Sequence, residues 1–269
     1  MNGRYIFMWI LLLGLCSTND GCGAADENVK KSMTQYELAV GLHQEGNVPG
    51  AFQALTSAVE LDPYNAKAHL FLGTLYLFSR KNNQIEYDRK AEECFRTVLK
   101  IQSGDYASPE NLSADAHNKL GVLYIHQKRY QDSIKELKVA VSDLYNRKAY
   151  LAWGNLGWAY LEIEKYDQAI HALLRSIDLE HRFCVGYFRL GQVYSSMRDF
   201  EKAEKAFTKA IEADERCKSF QDAWRLRGEV RAKLGEREDA IADFERCVEL
   251  DQDSETGDAC SRLLSSTHE

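Results

Sequence analysis

Histidine and cysteine are the residues in this chain that could bind a metal or act as nucleophiles, and its 269 residues contain seven of each. The histidines are His43, His69, His117, His126, His171, His181 and His268. Their spacing matches no metal-binding pattern, and no glycine-rich loop of the phosphate-binding type is present. The sequence therefore predicts a protein that is not an enzyme and that uses no metal or cofactor.

The first fifteen residues are typical of an export signal. Arg4 supplies a positive start, and residues 5–15 form an apolar run interrupted only by Gly14. This run is too short to span a bilayer as a helix. We therefore expect residues 1–15 to be a signal peptide. The mature chain would then function outside the cytoplasm, where disulfides form.

Cys16 ends the apolar run and is a candidate for lipid attachment. With Leu13 three residues before it, the segment resembles the lipobox at which bacterial lipoproteins are cleaved and acylated with chains such as palmitate. Leu15 departs from the small residue that a lipobox places before the cysteine, so cleavage after Ala25 is the alternative. Ser17 follows Cys16, where an aspartate is associated with inner-membrane retention. The resemblance therefore implies a lipid-anchored protein on the periplasmic face of the outer membrane.

A small residue that recurs along the chain indicates the elements that build the fold. Its positions are Ala39, Gly73, Gly121, Gly157, Gly191 and Gly228, at intervals of 34, 48, 36, 34 and 37 residues. In all but the first case an aromatic residue or a histidine stands four positions earlier. A period near 34 residues is that of the tetratricopeptide repeat, a helix-turn-helix unit. The small residue lets the paired helices approach, and stacked repeats bury each other's apolar faces.

The pattern predicts an all-α fold, a right-handed superhelical solenoid of six tetratricopeptide repeats with a C-terminal capping helix. A polar loop over residues 79–87 delays the second helix of repeat two, which contains Ala91, Phe95 and Val98, and residues 104–113 form a connector. The expected divisions are a flexible tether at 16–31, one solenoid at 32–265 with repeats at 32–65, 66–103, 114–147, 150–183, 184–217 and 221–254, and a cap helix at 255–265.

Three cysteines in the last quarter, Cys217, Cys247 and Cys260, are the disulfide candidates. Antiparallel pairing of the helices in repeat six places Cys247 opposite about Gln221, close to the loop that contains Cys217. This favours a Cys217–Cys247 disulfide, and the alternative is Cys247–Cys260. Cys94 and Cys184 occupy positions in repeats two and five that suit a small buried side chain, so we expect free thiols there.

Residues on the first helix of each repeat predict a binding groove that is apolar at one end. Its candidate partner-binding residues are Met33, Tyr36, Val40, Leu70, Leu77, Phe78, Val122 and Ile125, and Leu151, Trp158 and Leu161 continue it. In repeats five and six the equivalent positions are polar, as at Gln192, Asp222 and Arg225. An exposed apolar surface indicates a partner. The alternative is that the curvature of the array buries some of these side chains.

Charge and residue type exclude two kinds of partner. The net charge of −7 argues against nucleic acid, which selects basic surfaces. The carboxylate-clamp type of tetratricopeptide domain needs lysines and asparagines at fixed positions, where Tyr36, Val40 and Phe71 stand in the first two repeats.

Six repeats and a cap behind a lipoprotein-like leader resemble the type IV pilus pilotins, the family called PilF, PilW or Tgl. The resemblance is most specific where residues 143–145 run through Arg147 to Asn155, Leu156 and Gly157. Gly228, followed by residues 231–233, is also similar. The residues at 79–87 are an insertion relative to that family.

Family membership implies an outer-membrane lipoprotein that brings the PilQ-like secretin to the outer membrane and promotes its multimeric assembly. The first repeats would make the contact. A periplasmic scaffold that recruits cell-wall enzymes or outer-membrane assembly factors is the alternative function. A third possibility is a subunit of an enzyme whose partner supplies the active site.

Overall fold

The computed structural model describes residues 19–79, 84–104, 111–144 and 146–268, with side chains from Asp26 to Thr267. Within these ranges the chain is all α-helical, apart from a 3-10 helix at Glu215–Ser219, as the sequence predicts. The helices are α1 Asn19–Gln44, α2 Val48–Leu61, α3 Ala66–Phe78, α4 Gln84–Gln102, α5 Ser113–His126, α6 Tyr130–Ser142, α7 Ala149–Glu162, α8 Tyr166–Leu179, α9 Cys184–Ser196, α10 Phe200–Glu212, α11 Gln221–Leu234, α12 Arg237–Leu250 and α13 Glu255–His268.

One backbone position reverses the chain between the two helices of a repeat. Seven residues after the small residue of five repeats, φ is positive, at Gly46, Lys128, Glu164, Arg198 and Gly235. At the second of these, hydrogen bonds close the helix end as in a Schellman motif, with the Lys128 amide donating to Ile125 O at 2.8 Å. Three repeats hold a side chain in this left-handed conformation, at a cost of about 1 kcal/mol each.

The glycines of the repeat pattern lie where a second-helix side chain packs against the first helix. A Cβ on Gly191 would stand 2.6 Å from the Phe207 ring, and one on Gly157 would stand 2.5 Å from Leu173 Cγ. These distances are too short for any side chain. Glycine therefore sets how closely the helices of a pair approach, as the repeat pattern predicts.

The structure divides into two compact units, Met1–Ala68 and His69–Glu269, called here unit 1 and unit 2. The sequence predicts one solenoid over 32–265, which stays a prediction. Within unit 1, α1 and α2 pack against each other. In unit 1 the buried Ser32 hydroxyl donates to Ala58 O at 2.7 Å and accepts from Asn65 Nδ2 at 2.8 Å. This ties the start of the repeat to the end of its second helix.

Helix boundaries correct three other predictions. The expected flexible tether at 16–31 is helical from Asn19 onward, and exposed i,i+4 ion pairs, such as Lys30 with Asp26 at 3.1 Å, support that helix. Helix α4 begins at Gln84, inside the polar loop expected over residues 79–87. The cap helix, expected over 255–265, continues to His268. The signal peptide and Cys16 lie outside the described residues.

The core of unit 2 includes a polar anchor at Tyr124, three residues after the glycine of repeat three. Its ring is buried, and its hydroxyl accepts from Arg96 Nη2 at 2.7 Å and donates to Glu92 at 2.8 Å. Arg129 stacks on the ring at 4.1 Å. Burial, followed by the hydrogen bond to Glu92, raises the pKa of Tyr124 to about 12. The hydroxyl therefore stays protonated and joins α4 to α5.

A buried ion network joins three helices at the C-terminal end of unit 2. Arg227 donates to both carboxylate oxygens of Asp243, at 2.9 and 2.6 Å, and both side chains are buried. Arg231 bridges the other side of Asp243 to Glu204 on α10, each at 3.0 Å. Arg231 Nε remains buried without an acceptor. Arg227 and Arg231, both on the first helix of repeat six, therefore have a structural role.

Candidate functional site

The predicted apolar groove is exposed only in part, and its members in unit 1 are described first. On α1, Met33 is 39% exposed, whereas Tyr36 and Val40 are half-buried. These three side chains follow one another at i, i+3 and i+7, so they share one face of the helix. Unit 1 thus presents an apolar stripe along α1.

In unit 2 the structure contradicts two of the five predicted groove residues, Leu77 and Ile125. Leu77 and Ile125 are 0% and 3% exposed and belong to core clusters, so neither can line a groove. Leu70 and Val122 are half-buried against the cluster that contains Leu77 and Tyr124. Phe78 is 66% exposed. Packing in the core covers Leu77 and Ile125, and burial of some members is the outcome that the alternative interpretation predicts.

The same helix face carries a polar chain that the sequence did not indicate. Arg189 on α9 donates through Nη1 to Gly154 O and to Asn155 Oδ1 on α7, each at 2.9 Å. Asn155 Nδ2 donates in turn to Asn118 Oδ1 on α5 at 2.9 Å. Three consecutive repeats are therefore joined by one line of hydrogen bonds, called here the amide–guanidinium chain (Asn118, Asn155 and Arg189).

The guanidinium fixes the direction of every bond in this chain. Arginine can only donate, so the atom of Asn155 that faces Arg189 must be the oxygen. The amide nitrogen of Asn155 then faces Asn118, whose oxygen must accept. Each amide oxygen accepts one hydrogen bond within the protein, and Nε and Nη2 of Arg189 are uncommitted donors. The chain is thus suited to bind hydrogen-bond acceptors.

Aromatic side chains flank Arg189. Its guanidinium lies 4.5 Å from the centre of the Trp158 ring, at a cation–π distance. The Trp158 indole donates to Glu162 at 2.9 Å, and the Tyr130 hydroxyl donates to the other oxygen of Glu162 at 3.1 Å. Burial lowers the pKa of Arg189 to about 10, and attraction by Glu162 opposes that shift. Arg189 therefore stays charged at neutral pH, although it is largely enclosed.

Lys119 on α5 is a second cation at the same register position, two residues before the glycine of its repeat. Its ammonium lies 5.3 Å from the Phe78 ring, and burial lowers its pKa. The acidic side chain that attracts it most, Asp115, makes an ion pair with Lys148 at 3.7 Å. Among the described residues, neither Lys119 nor Arg189 forms a salt bridge.

The disulfides differ from the favoured prediction. The structure pairs Cys184 with Cys217, with Cα atoms 5.7 Å apart, and Cys247 with Cys260, with Cα atoms 6.2 Å apart. Cys217–Cys247 is therefore wrong, and so is a free thiol at Cys184. Cys184 is the first residue of α9, and Cys217 lies in the 3-10 helix that follows α10. After these two helices the chain has returned to the start of α9, which brings Cys217 next to Cys184. Cys94 is free and buried, as expected.

One step of the disulfide reasoning agrees with the structure. Cys247 does lie opposite Gln221, whose amide donates to Cys247 O at 2.8 Å. The cap helix α13 packs on the same end of α12, and it supplies Cys260 as the nearer partner. The alternative pairing, Cys247 with Cys260 on the cap helix, is therefore the correct one.

A second concavity lies between the second helices of repeats three and four. This cleft has a volume of about 430 Å³, with Val141, Trp153, Leu156 and Tyr160 among its apolar lining residues. His171 lies edge-on to Trp153, with ring centres 6.1 Å apart. In the part of the chain that the structure describes, no three His, Cys, Asp or Glu side chains group as metal ligands, and no helix is both long and apolar enough to cross a bilayer.

Comparisons with known proteins identify the repeats. Family models described as tetratricopeptide repeat match residues 144–180, 185–217 and 222–254. These ranges correspond to the predicted repeats four, five and six. The chain therefore contains tetratricopeptide repeats, as its periodicity predicts, and proteins built from this repeat are generally scaffolds and not enzymes.

Two curated relatives differ in the share of their own length that the chain matches. It is 28% identical over 185 residues to the type IV pilus assembly protein PilF of Pseudomonas aeruginosa, covering 66% of this chain and 68% of that protein. It is 24% identical over 262 residues to the UDP-N-acetylglucosamine–peptide N-acetylglucosaminyltransferase of Giardia intestinalis. That match covers 92% of this chain but 17% of the transferase. The likeness to the transferase therefore concerns a part of a much longer protein.

Solved structures give the same fold. The structure of Pseudomonas aeruginosa PilF matches with a TM-score of 0.65 at 20% identity, over 89% of this chain and 99% of that one. PilW, described as a widely conserved type IV pilus biogenesis factor, matches with a TM-score of 0.70 at 21% identity, over 85% and 97%. The Cut9–Hcn1 assembly matches with 0.72 at 12% identity, over 93% and 46%. The chain is thus similar in sequence to PilF and in fold to both pilus proteins.

Proposed function

We propose that this protein is a type IV pilus assembly factor of the pilotin kind. It is exported, anchored at Cys16 in the outer membrane, and binds the PilQ-like secretin to promote its localisation and multimeric assembly. No covalent chemistry is required, because the protein acts by binding and by placement. The alternative remains a periplasmic scaffold for cell-wall or outer-membrane assembly factors.

The observation that carries the proposal is the extent of the match to PilF. It covers about two thirds of both chains in sequence, and in fold it covers nearly the whole of the PilF structure. The transferase relative contains this length of repeats as a minor part. PilF is therefore the better analogue, because the match spans most of that protein.

The two disulfides support the proposed location. Disulfides persist in oxidising compartments, such as the bacterial periplasm, and they are rare in the cytosol. Cys184–Cys217 and Cys247–Cys260 account for four of the seven cysteines. Lipid attachment at Cys16 is a separate proposal, based on the resemblance of residues 13–16 to a lipobox.

The apolar stripe of α1 is the proposed contact for the secretin. Met33, Tyr36 and Val40 follow one face of this helix, and Met33 is 39% exposed. An apolar helix stripe is a common docking surface for a partner helix or strand. Leu70, Leu77 and Ile125 are excluded from the contact because they pack in or against the core.

The test is the amount of heat-resistant secretin multimer in outer-membrane fractions, resolved on a denaturing gel. Deletion of the gene should abolish the multimer and leave monomer. Met33→Glu should reduce the multimer strongly, whereas Leu174→Glu, which charges a similarly exposed residue on α8, should not. Unchanged multimer after deletion would refute the pilotin function and favour the scaffold. Loss with Leu174→Glu as well would refute only the α1 contact.

A further inference from the structure

We propose that the first-helix face of α5, α7 and α9 binds an acidic segment of a partner protein, with a side-chain carboxylate of that segment paired to Arg189. The inference rests on the proposed function only in expecting a protein partner. It adds a second contact, in unit 2, whose chemistry is electrostatic where that of the α1 stripe is apolar.

The first argument is charge. Enclosing a guanidinium costs free energy unless an anion compensates it, and cations in protein interiors are normally paired. Arg189 and Lys119 are both half-buried, burial lowers the pKa of each, and neither has a salt-bridge partner among the described residues. This occurs in a chain with a net charge of −7, where carboxylates are plentiful. A carboxylate from a partner would complete the site.

The second argument is hydrogen bonding. The oxygens of Asn118 and Asn155 each accept one hydrogen bond inside the amide–guanidinium chain, whereas Arg189 keeps unused donors. Nε and Nη2 of Arg189 have no acceptor in the described part of the chain, and neither is sealed from solvent. A partner can therefore reach them. A carboxylate accepts from two guanidinium donors at once, while backbone carbonyls can accept from the asparagine amides.

The third argument is a contrast within the same surface. On α11, in repeat six, Arg225 makes ion pairs with Asp222 and Glu229 on its own helix. That cation is compensated internally and needs no ligand. Near Arg189 the closest acidic side chain is Glu162, but both of its oxygens accept hydrogen bonds, from Trp158 and Tyr130. Glu162 orients the aromatic wall and leaves the guanidinium fork open.

The position of the site differs from that of a carboxylate clamp in the first two repeats, which the sequence excludes through Tyr36, Val40 and Phe71. Here the donors come from repeats three to five. Trp158 beside the fork adds an apolar surface. The expected ligand is therefore an extended segment with an aspartate or glutamate flanked by apolar residues.

The test is site-specific photo-crosslinking in cells that carry the full chain. A p-benzoylphenylalanine at Gln192, one turn from Arg189 on α9, should crosslink to a partner peptide that mass spectrometry identifies. The same group at Glu201, on the second helix of that repeat, is the position control. We expect the adduct at Gln192 to contain an aspartate or glutamate near the crosslinked residue.

Charge variants then decide whether Arg189 is responsible. Arg189→Met should lower the crosslink yield about tenfold, the value of one charge-assisted contact. Arg175→Met, at an exposed arginine of α8, should not change it. Lys119→Met should also lower the yield. Because Lys119 makes no hydrogen bond among the described residues, this variant removes the charge and its contact with the Phe78 ring but breaks no hydrogen bond. Its control is Lys135→Met, at an exposed lysine of α6.

A charge exchange gives the sharpest outcome. Arg189→Glu should abolish the adduct, and an arginine in place of the partner's acidic residue should restore it. Three outcomes would overturn the proposal. They are an adduct whose yield is unchanged by both Arg189→Met and Lys119→Met, a crosslinked peptide without acidic residues, and no adduct at Gln192. If the charge-dependent partner is not the secretin, the pilotin function fails and this site stands. If the secretin crosslinks at Gln192 without charge dependence, the proposed acidic-segment site fails and the pilotin function stands.

Discussion

Arg189 and Arg227 are both arginines on first helices of unit 2, and they differ in what surrounds them. Arg227 is buried and donates to both oxygens of Asp243, which Arg231 also contacts. Arg189 is held by a backbone carbonyl and an asparagine amide, with no carboxylate bound. Arg227 joins helices of the same protein, whereas the donors of Arg189 are only partly used.

The difference separates structural charges from charges available to a partner. At the C-terminal end, the ion network and the Cys247–Cys260 disulfide hold α10 to α13 together. In the middle of the unit, around α7, the described residues contain no disulfide and leave two cations without ion pairs. Buried charge by itself therefore does not indicate function. The absence of a partner inside the protein is the more informative observation.

The largest effect should follow removal of the carboxylate at the centre of the ion network. Asp243→Asn keeps the shape but leaves the buried Arg227 without an anion and leaves Arg231 with Glu204 alone, which should cost about 3–5 kcal/mol of unfolding free energy. Urea denaturation followed by circular dichroism measures it. Asp239→Asn, at an exposed position on the same helix, should change stability by less than about 0.5 kcal/mol. Equal effects of the two would remove the structural role assigned to the network.

Loss of the disulfides should be the next largest effect. Cys247→Ser with Cys260→Ser opens a loop of 13 residues and should destabilise the chain by about 3 kcal/mol. Cys184→Ser with Cys217→Ser opens 33 residues and should cost about 1 kcal/mol more on loop entropy alone. Peptide mapping without reductant checks the pairing first. A Cys217–Cys247 peptide would contradict both the structure and this ranking.

A smaller effect should follow a single methyl group between paired helices. Gly191→Ala places a Cβ 2.6 Å from the Phe207 ring and should destabilise by about 1–3 kcal/mol through overpacking. Gly41→Ala is the matched control, since nothing lies within 4 Å of its Cβ. That change should stabilise α1 by up to about 1 kcal/mol, because alanine is the better helix former. Thermal melts of the two variants should therefore shift in opposite directions.

The smallest effect on stability is expected at Arg189, although its effect on binding should be large. Arg189→Met removes two hydrogen bonds but also relieves the cost of an enclosed, unpaired charge, so the net change should be within about 1 kcal/mol. The same urea titration measures it. A loss of 3 kcal/mol or more would place Arg189 with Arg227 as a structural residue and end the contrast between the two regions.

The local pattern of the sequence was enough to predict the helices and their pairing. The recurrent glycine recorded how closely two helices pack, as the contact of Gly191 with Phe207 on the next helix shows. Repeats four to six, whose intervals are the most regular, are also those that the family models match. A contact between helices adjacent along the chain is repeated at fixed spacing, so one sequence carries it several times.

Only the tertiary structure decided which side chains remain available to a partner. Leu77 and Ile125 occupy groove positions by spacing, but packing between repeats buries them. Cys217 could reach several cysteines by topology, and the actual distance selected Cys184. The amide–guanidinium chain depends on atoms from three repeats that meet within hydrogen-bond distance. Such meetings are set by the angles and separations of whole helices, which periodicity along the sequence does not encode.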